Sequence, residues 1–344
     1  MDSRPRSGAD SSHSVYNNQP PIGLAYRMAS GPSVVTIGNF DGCHAGHAEL
    51  IRRARVAADR HSARVVVMSF YPHPAAVLRP GSEPPILTTW DRRAELLRSL
   101  GADEVVRLEP TKELLGLEPD EFVQRHLVPL SPVRVIEGSD FRFGKHRRGD
   151  LGVLRLLGEA FGFEVEEIGK VHATLNDETQ IPASSTVIRE LVTMGRVRDA
   201  QRVLGRHHRV EGVVHQGDRL GRQIGCPTAN VICETLPPGD GVYAGTALLP
   251  AGQSLPAAIS MGTRPTVTGS LERRFEVHIL NATNDGHKLA GLPEYGWRLA
   301  VDIHAWLREQ IRYDSLDELI EQLKRDCDRT LEIAGQHTKT PTAQ

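Results

Sequence analysis

Two histidines three positions apart stand where a short β-branched run gives way to a helical pattern. The run SVVTIG is followed by NFDGCHAGH, which carries His44 and His47, and the apolar spacing then becomes helical. A helix start offers unpaired N–H groups and a partial positive charge, so it stabilises a bound phosphate. Imidazole groups could add donors there, and the glycines let the backbone approach closely. The pattern therefore predicts a phosphate site.

Other interpretations of this motif stay open when it is taken alone. An isolated HxGH run is better explained as a glycine turn with two surface histidines. An HxxH pair could also bind a metal ion, but no third His, Cys or carboxylate follows at ligand spacing.

Two later stretches offer further polar groups for the same site. GSDFRFG follows the predicted strand VRVIEG, so Asp140 and the Phe and Arg after it occupy a loop at the carboxyl end of a strand. ASSTVIRE begins a predicted helix, where Ser184 or Ser185 could cap the helix and Arg189 could clamp a phosphate. An ordinary capped helix with a surface arginine explains this last stretch about as well.

A second candidate site lies in the glycine-rich run GDRLGRQIGCPTAN. Pro227 restricts the backbone, while Thr228 and Asn230 supply oxygen ligands suited to magnesium near a phosphate. Taken alone, PTAN is better explained as a polar turn of the barrel. Further on, FEVHIL places Glu276 on a strand, where a lone glutamate is more often part of a solvated face.

The elements that must position these residues fall into two unlike halves. Up to about residue 169, β-branched strands alternate with helical stretches, which predicts a doubly wound parallel sheet that binds ligands at the carboxyl ends of its strands. From about His208, short strands with Gly and Pro turns favour an antiparallel β-barrel, and one amphipathic helix follows. The fold class is therefore α/β with a second, all-β domain.

Length and composition limit the classes of protein that fit. A chain of 344 residues has room for two domains, predicted at 31–195 and 205–335 between tails at 1–30 and 336–344. The balance of 41 Lys plus Arg against 43 Asp plus Glu gives no reason to expect a nucleic-acid partner. Apolar runs are too short for a membrane span, and four cysteines without a CxxC pair indicate a reducing, cytoplasmic location.

In their order, TIGNFDGCHAGH, SFYPHP, GSDFRFG and SSTVIR resemble the adenylyltransferase half of bacterial FAD synthetases, in the nucleotidylyltransferase superfamily. The resemblance covers residues 33–195 and implies that the FMN phosphate attacks the α-phosphorus of ATP, with Mg²⁺ sharing the charge. It implies catalytic histidines and an ATP-binding set made of Gly38, Asn39, Phe40, Asp41, His44, His47, Ser184, Ser185, Thr186 and Arg189. The flavin-binding positions that it implies are His73, Pro74, Asp140, Phe141 and Arg142.

The series PTAN, GVYAG, MGTRPT and FEVHIL resembles riboflavin kinases over residues 205–335. It implies that Glu276 is the general base, which deprotonates the ribityl hydroxyl as that oxygen attacks the γ-phosphate of ATP. The kinase positions expected to bind ATP and metal are Gly217, Gly221, Arg222, Gly225, Pro227, Thr228 and Asn230, with Thr228 and Asn230 as the metal ligands. Arg308 is a weaker candidate for contact with the flavin.

The chain departs from the kinase pattern in two places: Val267 stands where an aromatic is usual, and the segment 281–297 is long. The leading hypothesis is an enzyme that converts riboflavin to FMN and FMN to FAD. One alternative is an adenylyltransferase with an impaired kinase domain. Another is a non-catalytic flavin- or RNA-binding regulator, against which the intact phosphate-handling residues argue.

Overall fold

The computed structural model describes residues 31–217, 226–265, 271–285 and 288–337. The predicted tail at 1–30 and most of the predicted tail at 336–344 lie outside these ranges, as do Gly221, Arg222, Gly225 and Val267.

A five-stranded parallel sheet forms the first half, in the order β3-β2-β1-β4-β5. The strands are β1 (Ser33–Gly38), β2 (Arg64–Phe70), β3 (Glu104–Leu108), β4 (Pro132–Gly138) and β5 (Glu164–Ile168). The central strands are apolar on both faces, as expected for a sheet covered by helices on each side. The predicted doubly wound parallel sheet is confirmed.

Helices connect these strands. They are α1 (Ala45–His61), α2 (Ala75–Leu78), α3 (Trp90–Ser99), α4 (Lys112–Leu115), α5 (Pro119–Phe122) and α6 (Leu151–Phe161), with a π-helical turn at Val123–Leu127 and 3₁₀ turns at Val128–Leu130 and Lys145–Arg147. The helical spacing in α1 puts Ile51, Ala54 and Ala58 on one buried face, which packs with Val34 and Val65 of the sheet.

A small hairpin and two helices follow the sheet. The hairpin pairs β6 (His172–Thr174) with β7 (Gln180–Pro182), and the helices are α7 (Ser185–Thr193) and α8 (Val197–Leu204). Helix α8 contributes Val203 and Leu204 to a cluster with α7, yet its Val197 belongs to the core of the second half. The predicted domain limits at 195 and 205 thus fall on either side of a helix that contacts both the barrel core and the cluster around α7.

The second half is a closed antiparallel barrel, as predicted, in the order β10-β11-β12-β9-β8-β15. Its elements in chain order are β8 (His208–His215), β9 (Ala229–Cys233), β10 (Gly241–Leu248), β11 (Ser254–Pro265), β12 (Leu271–Ile279), the separate pair β13 (Asn284–Asp285) and β14 (Lys288–Leu289), and β15 (Arg298–Arg308). Tyr243, Ile259, Val277 and Leu299 fill the interior.

The chain then forms α9 (Leu316–His337), which covers the outer face of two barrel strands. Its Ile333 packs on Ala244 of β10 and Ala305 of β15. Among the helices in the described ranges, none is both long enough and apolar enough to cross a membrane.

Arg206, between α8 and the barrel, holds the loop that follows β1. Its guanidinium donates to the carbonyls of Gly42 at 2.5 Å and Cys43 at 3.1 Å, and also to that of Leu204 at 3.3 Å. Burial lowers the pKa of Arg206 to about 10, which still leaves it charged at neutral pH. A charged donor therefore ties the histidine loop to the start of the barrel.

We expect Arg206→Ala to lower the free energy of unfolding by about 1 to 3 kcal/mol, because several carbonyls lose a charged donor. Urea unfolding followed by circular dichroism measures this change. Arg202→Ala is the matched control, since Arg202 lies exposed on the preceding helix and should cost little. Equal losses in the two variants would contradict the role given to Arg206.

Candidate active sites

The carboxylate of Asp41 is the most heavily hydrogen-bonded group next to the sheet's histidine loop. Asp41 is 3% exposed. It accepts from the backbone N–H of Leu87 at 3.0 and 3.1 Å, and from the N–H of Thr88 at 3.1 Å and its hydroxyl at 3.0 Å. These bonds fasten the loop before α3 to the loop after β1.

Two arginines from different helices meet this carboxylate. Arg93 of α3 donates to Asp41 at 2.8 Å and to the carbonyls of Asn39 at 2.8 Å and Phe70 at 3.0 Å. Arg189 of α7 donates to Asp41 and to the carbonyl of Pro85, the latter at 2.7 Å. A buried charge must be paired, so this cluster fixes the carboxyl ends of β1 and β2 relative to α7.

The predicted histidine pair lies at the start of α1. His44 caps the helix, its Nδ1 accepting from the N–H of Gly46 at 3.1 Å, and the rings of His44 and His47 stack with centroids 3.7 Å apart. The turn that leads here has positive φ at Phe40 and Cys43. His44 is only 7% exposed, so the interpretation as two surface histidines is wrong.

Both rings are neutral at pH 7. Burial, and secondarily the charge of Arg206, lowers the pKa of His44 to about 4. Burial also holds the pKa of His47 well below its usual range, with smaller contributions from His44 and Arg93. A neutral imidazole still has one N–H donor, so the pair can bind phosphate by hydrogen bonds rather than as fixed cations.

A cavity of about 440 Å³ opens at the carboxyl ends of β1, β4 and β5. The predicted site residues that line it are Gly38, Phe40, His44, His47, Asp140, Phe141 and Ser184. Glu137 and Lys170, which the sequence interpretation did not include, line it too. This size suits a small-molecule ligand.

Asn39 and His73 form a second polar group behind the cavity wall. Nδ1 of His73 accepts from the N–H of Ala75 at 3.1 Å, so its neutral ring carries the proton on Nε2. Nδ2 of Asn39 lies 3.1 Å from that Nε2, and because two donors would then face each other, we assign the rotated amide, with its oxygen at this contact. Burial, followed by Arg189, lowers the pKa of His73. Pro74 follows directly, as the residue before α2.

The remaining predicted residues are divided between anchoring contacts and the surface. Ser184 caps α7 by accepting from Val187 N–H at 3.2 Å, and Ser185 donates to the carbonyl of Asp41 at 2.7 Å. Thr186 and Arg142 are exposed. The predicted residues that do not line the 440 Å³ cavity are Asn39, Asp41, His73, Pro74, Arg142, Ser185, Thr186 and Arg189.

Two residues missed in the sequence had a usable signal. Arg93 lies three and four positions before the buried Leu96 and Leu97, so the helical pattern puts it on the buried face of α3. Glu137 directly follows the buried pair Val135 and Ile136 of β4, where a buried carboxyl is unusual.

In the barrel, Glu276 of β12 and Asn230 of β9 are directly opposite in register. Their neighbours Phe275, Val277 and Val231 belong to the barrel core, so both polar side chains lie on the outer face. Asn230 is 8% exposed, and its Oδ1 has no hydrogen-bond partner among the described residues.

A cavity of about 260 Å³ lies beside Asn230 and is also lined by Val277 and Trp297 of the barrel core. Gly217, Pro227, Thr228 and Asn230 line it, whereas Glu276 is not among its lining residues. A Cβ on Gly217 would lie 2.1 Å from Asn230 Nδ2, so a larger residue at this position would displace the Asn230 amide.

Arg308 is not among the residues that line the 260 Å³ cavity. Its guanidinium binds the carboxylate of Asp326 in α9, with Nε 3.1 Å from each oxygen and a terminal nitrogen at 2.7 Å. It lines a different cavity, of about 760 Å³, with Arg196 and Trp306. Contact of Arg308 with flavin therefore stays a prediction.

Two family models match successive parts of the chain. The FAD synthetase family matches residues 27–185 and the riboflavin kinase family residues 204–334. Each match contains one of the two cavities and its polar residues.

Curated relatives match over most of their length. Bifunctional riboflavin kinase/FMN adenylyltransferases from Escherichia coli K12 and Pseudomonas fluorescens are 33% and 36% identical to this chain, over 85% of it and 90% of theirs. A crystal structure described as a macrolide-efflux protein from Streptococcus pneumoniae superposes with a TM-score of 0.75 at 30% identity, covering 87% of this chain and 94% of that one.

We expect Asp41→Asn to cost about 3 to 5 kcal/mol of unfolding free energy, because it leaves the buried Arg93 and partly buried Arg189 without their carboxylate. Asp59→Asn is the control, since it removes a carboxylate from an exposed pair with Arg55 on α1. Thermal and urea unfolding measure both. If Asp41→Asn lowers the free energy of unfolding no more than Asp59→Asn does, the pairing of Asp41 with Arg93 and Arg189 does not stabilise the fold.

Proposed function

The chain belongs to the family of bifunctional riboflavin kinase/FMN adenylyltransferases, and we propose that the 440 Å³ cavity carries out the adenylyl transfer and that the 260 Å³ cavity, with the adjacent Glu276, carries out the kinase reaction. The enzyme phosphorylates riboflavin to FMN and adenylylates FMN to FAD, using ATP in both steps. The observation that carries the division of labour is that the two sets of polar residues lie on separate cores, one on the sheet and one on the barrel.

For adenylyl transfer, the cavity at α1 would hold ATP. His44 and His47 would donate N–H bonds to its phosphates, supported by the helix start. The FMN phosphate oxygen attacks the α-phosphorus and pyrophosphate leaves. Stacking would hold the two imidazole donors in place. They would then need no reorientation as negative charge develops on the pyrophosphate, and this lowers the barrier to the transition state.

The flavin of this reaction would lie towards His73 and Pro74 on one side and Asp140, Phe141 and Arg142 on the other. Support comes from the contact of His73 with Asn39, which directly follows Gly38 at the cavity wall. Arg189 and Thr186 lie at the start of α7 near this group, and Asp41 fixes the orientation of the arginine. The FMN phosphate would thus approach between α1 and α7.

For the kinase reaction, Glu276 would take the proton of the ribityl hydroxyl while that oxygen attacks the γ-phosphorus and ADP leaves. Its register with Asn230 supports this role, since it puts the carboxyl beside the proposed phosphate and metal position. At 9% exposure the carboxyl is largely shielded from water, which favours proton transfer from a bound substrate.

Thr228 and Asn230 would hold a magnesium ion on the kinase substrate. The fit rests on Asn230 Oδ1, a buried oxygen without a partner among the described residues, and on the Thr228 hydroxyl in the same cavity. Such an ion neutralises phosphate charge when bound. Gly217 leaves room for the Asn230 amide, and Gly221, Arg222 and Gly225 complete the proposed ATP-binding run.

Two further points belong to this proposal. We place the enzyme in the cytoplasm, because Cys43, Cys226, Cys233 and Cys327 are all free thiols. We also take 31–195 and 205–335 as the adenylyltransferase and kinase domains, which leaves α8 between them.

We expect His47→Ala to lower FAD formation from FMN by about 10²-fold or more, since a phosphate donor is lost from the transition state. FMN formation from riboflavin should stay near normal. Chromatography of both products from one preparation measures this, and His61→Ala, at the exposed end of α1, is the control. Parallel loss of both activities in folded protein would argue against two sites.

We expect Glu276→Gln to lower kinase turnover by about 10² to 10⁴-fold with little change in ATP binding, because the amide keeps the shape but cannot accept the proton. A loose transition state would put the loss at the low end. Glu234→Gln, on the barrel and paired with Arg298, is the control. Near-normal FMN production would remove Glu276 from the mechanism.

Thr228→Ala should differ from Glu276→Gln in its dependence on metal. Loss of a ligand weakens binding of magnesium with ATP, so its activity should recover partly as magnesium is raised. A magnesium titration of the two variants separates the roles. Identical titration curves would show that Thr228 does not bind the metal.

A further inference from the structure

The cavity of about 760 Å³ lies apart from the two proposed active sites. It is bounded by the start of α8, the end of β15 and one face of α9. Of the predicted site residues that the structure describes, only Arg308 lines it. A cavity of this size can hold a small molecule, and the side chains in its wall decide which kind of molecule fits.

Arginine dominates the wall of this cavity. Five arginines stand there against two aspartates, and both aspartates already have partners. Asp199 accepts from Nε of Arg196 at 2.7 Å, and Asp326 binds Arg308. The arginines that remain are Arg198, Arg325 and Arg329.

No carboxylate of the cavity neutralises these three arginines. Arg198 is exposed at the start of α8 and forms no ion pair with any residue that the structure describes. Arg325 and Arg329 pair with Glu321 and Glu332 of their own helix, and such exposed pairs contribute little to stability. A dianionic ligand can therefore compete for all three guanidinium groups.

The period of α9 aligns two of the three arginines. Arg325, Arg329 and Ile333 are four positions apart, so they lie along one stripe of the helix. Ile333 packs on the barrel and lines the cavity, and the two arginines continue along the cavity from it. Arg198 comes from α8, so the positive groups are supplied by two different helices.

An aromatic side chain with exposed surface lines the same cavity. Trp306 of β15 is 46% exposed, and it makes no ring contact with the other described residues. The edge formed by its Nε1 and Cδ1 lies next to Gly241 and Gly195, where an added Cβ would come within 2.7 and 3.7 Å. An indole that is held along one edge and partly exposed offers a stacking surface for a planar ring.

We propose that this cavity is a third ligand site, in which Arg198, Arg325 and Arg329 bind a phosphate group and Trp306 stacks on an aromatic ring attached to that phosphate. Guanidinium groups bind phosphate oxygens through paired hydrogen bonds, which favours phosphate as the anion. Flavin mononucleotides and adenine nucleotides share this chemistry. The site takes part in neither proposed reaction, because neither the histidines of α1 nor Glu276 line it.

The test uses the three tryptophans of the chain as separate reporters, labelled with 5-fluorotryptophan and observed by fluorine NMR. Trp306→Phe identifies the Trp306 signal by its loss. Trp90 reports on the adenylyltransferase half, where its ring lies 5.7 Å from that of Tyr71. The probes are FMN, AMP, riboflavin, which lacks the phosphate, and ribose 5-phosphate, which lacks the aromatic ring.

We expect FMN or AMP to shift the Trp306 signal saturably, at a concentration about tenfold or more below that needed with riboflavin or ribose 5-phosphate. The nucleotide that binds more tightly identifies the ring that the site takes. Arg198→Gln should raise the half-saturating concentration about tenfold, because a charged donor to the phosphate is lost, and adding Arg325→Gln should raise it further. Arg125→Gln is the matched control, since Arg125 forms a similar exposed pair with Glu121 and does not line the cavity.

A Trp306 signal that neither FMN nor AMP moves would overturn the inference. A shift that Arg198→Gln leaves unchanged, or one that only follows the Trp90 signal, would also overturn it, because the effect would then come from another site. Equal affinity for ribose 5-phosphate and the nucleotides would contradict the role of Trp306.

Thermal unfolding reports whether each arginine variant is folded. If they are not, added salt decides on the wild-type protein, because it screens the attraction between guanidinium and phosphate. Salt should weaken the effect of the nucleotide on Trp306 and leave that of riboflavin unchanged. Nucleotide binding that does not depend on salt would contradict the phosphate contact.

Discussion

A single buried carboxylate connects the parts of the adenylyltransferase half. Asp41 lies between Arg93 and Arg189, so helices α3 and α7 are both bound to the turn after β1. Removing Asp41 and its two arginines from water costs free energy unless each charge is paired. The two arginines pair with the carboxylate, and the backbone N–H groups of Leu87 and Thr88 supply its remaining hydrogen bonds. The geometry of the histidine turn depends on this cluster, because the turn begins at the same residue.

The same positive charges influence how the site handles phosphate. Arg206 and Arg93 lie near the histidines and, with burial, favour their neutral forms. Phosphate binding at this position then comes from oriented N–H groups and the start of α1, and the histidines themselves carry no charge. The guanidinium groups of Arg206 and Arg93 are already hydrogen-bonded to backbone carbonyls and, for Arg93, to Asp41. They therefore affect the cavity by fixing the position of its loops and through their electrostatic field.

Much of this could be predicted from the sequence, because the motifs lie where strands end and parallel strands bring their ends together. The sheet and the barrel agree with the prediction. Strand β9 could not be foreseen from the sequence, because PTAN looks like a polar turn although its last two residues begin the strand. The engagement of Arg189 by Asp41, and of Arg308 by Asp326, could not be read from spacing, because partners distant in sequence meet only through tertiary packing. The metal and flavin contacts of individual residues stay predictions.

Helix α8 has a consequence for how the two activities can be separated. One end supplies Val197 to the barrel interior and the other supplies Leu204 to the cluster beneath α7. Dividing the chain on either side of the helix would expose an apolar surface on whichever half loses it. Recombining the sheet of one relative with the barrel of another would therefore require α8 and both of its contact surfaces to be transferred as a matched set. Helix α8 thus packs against both halves. Any gene fusion or fission in such a family would have to keep this helix together with both of its contact surfaces.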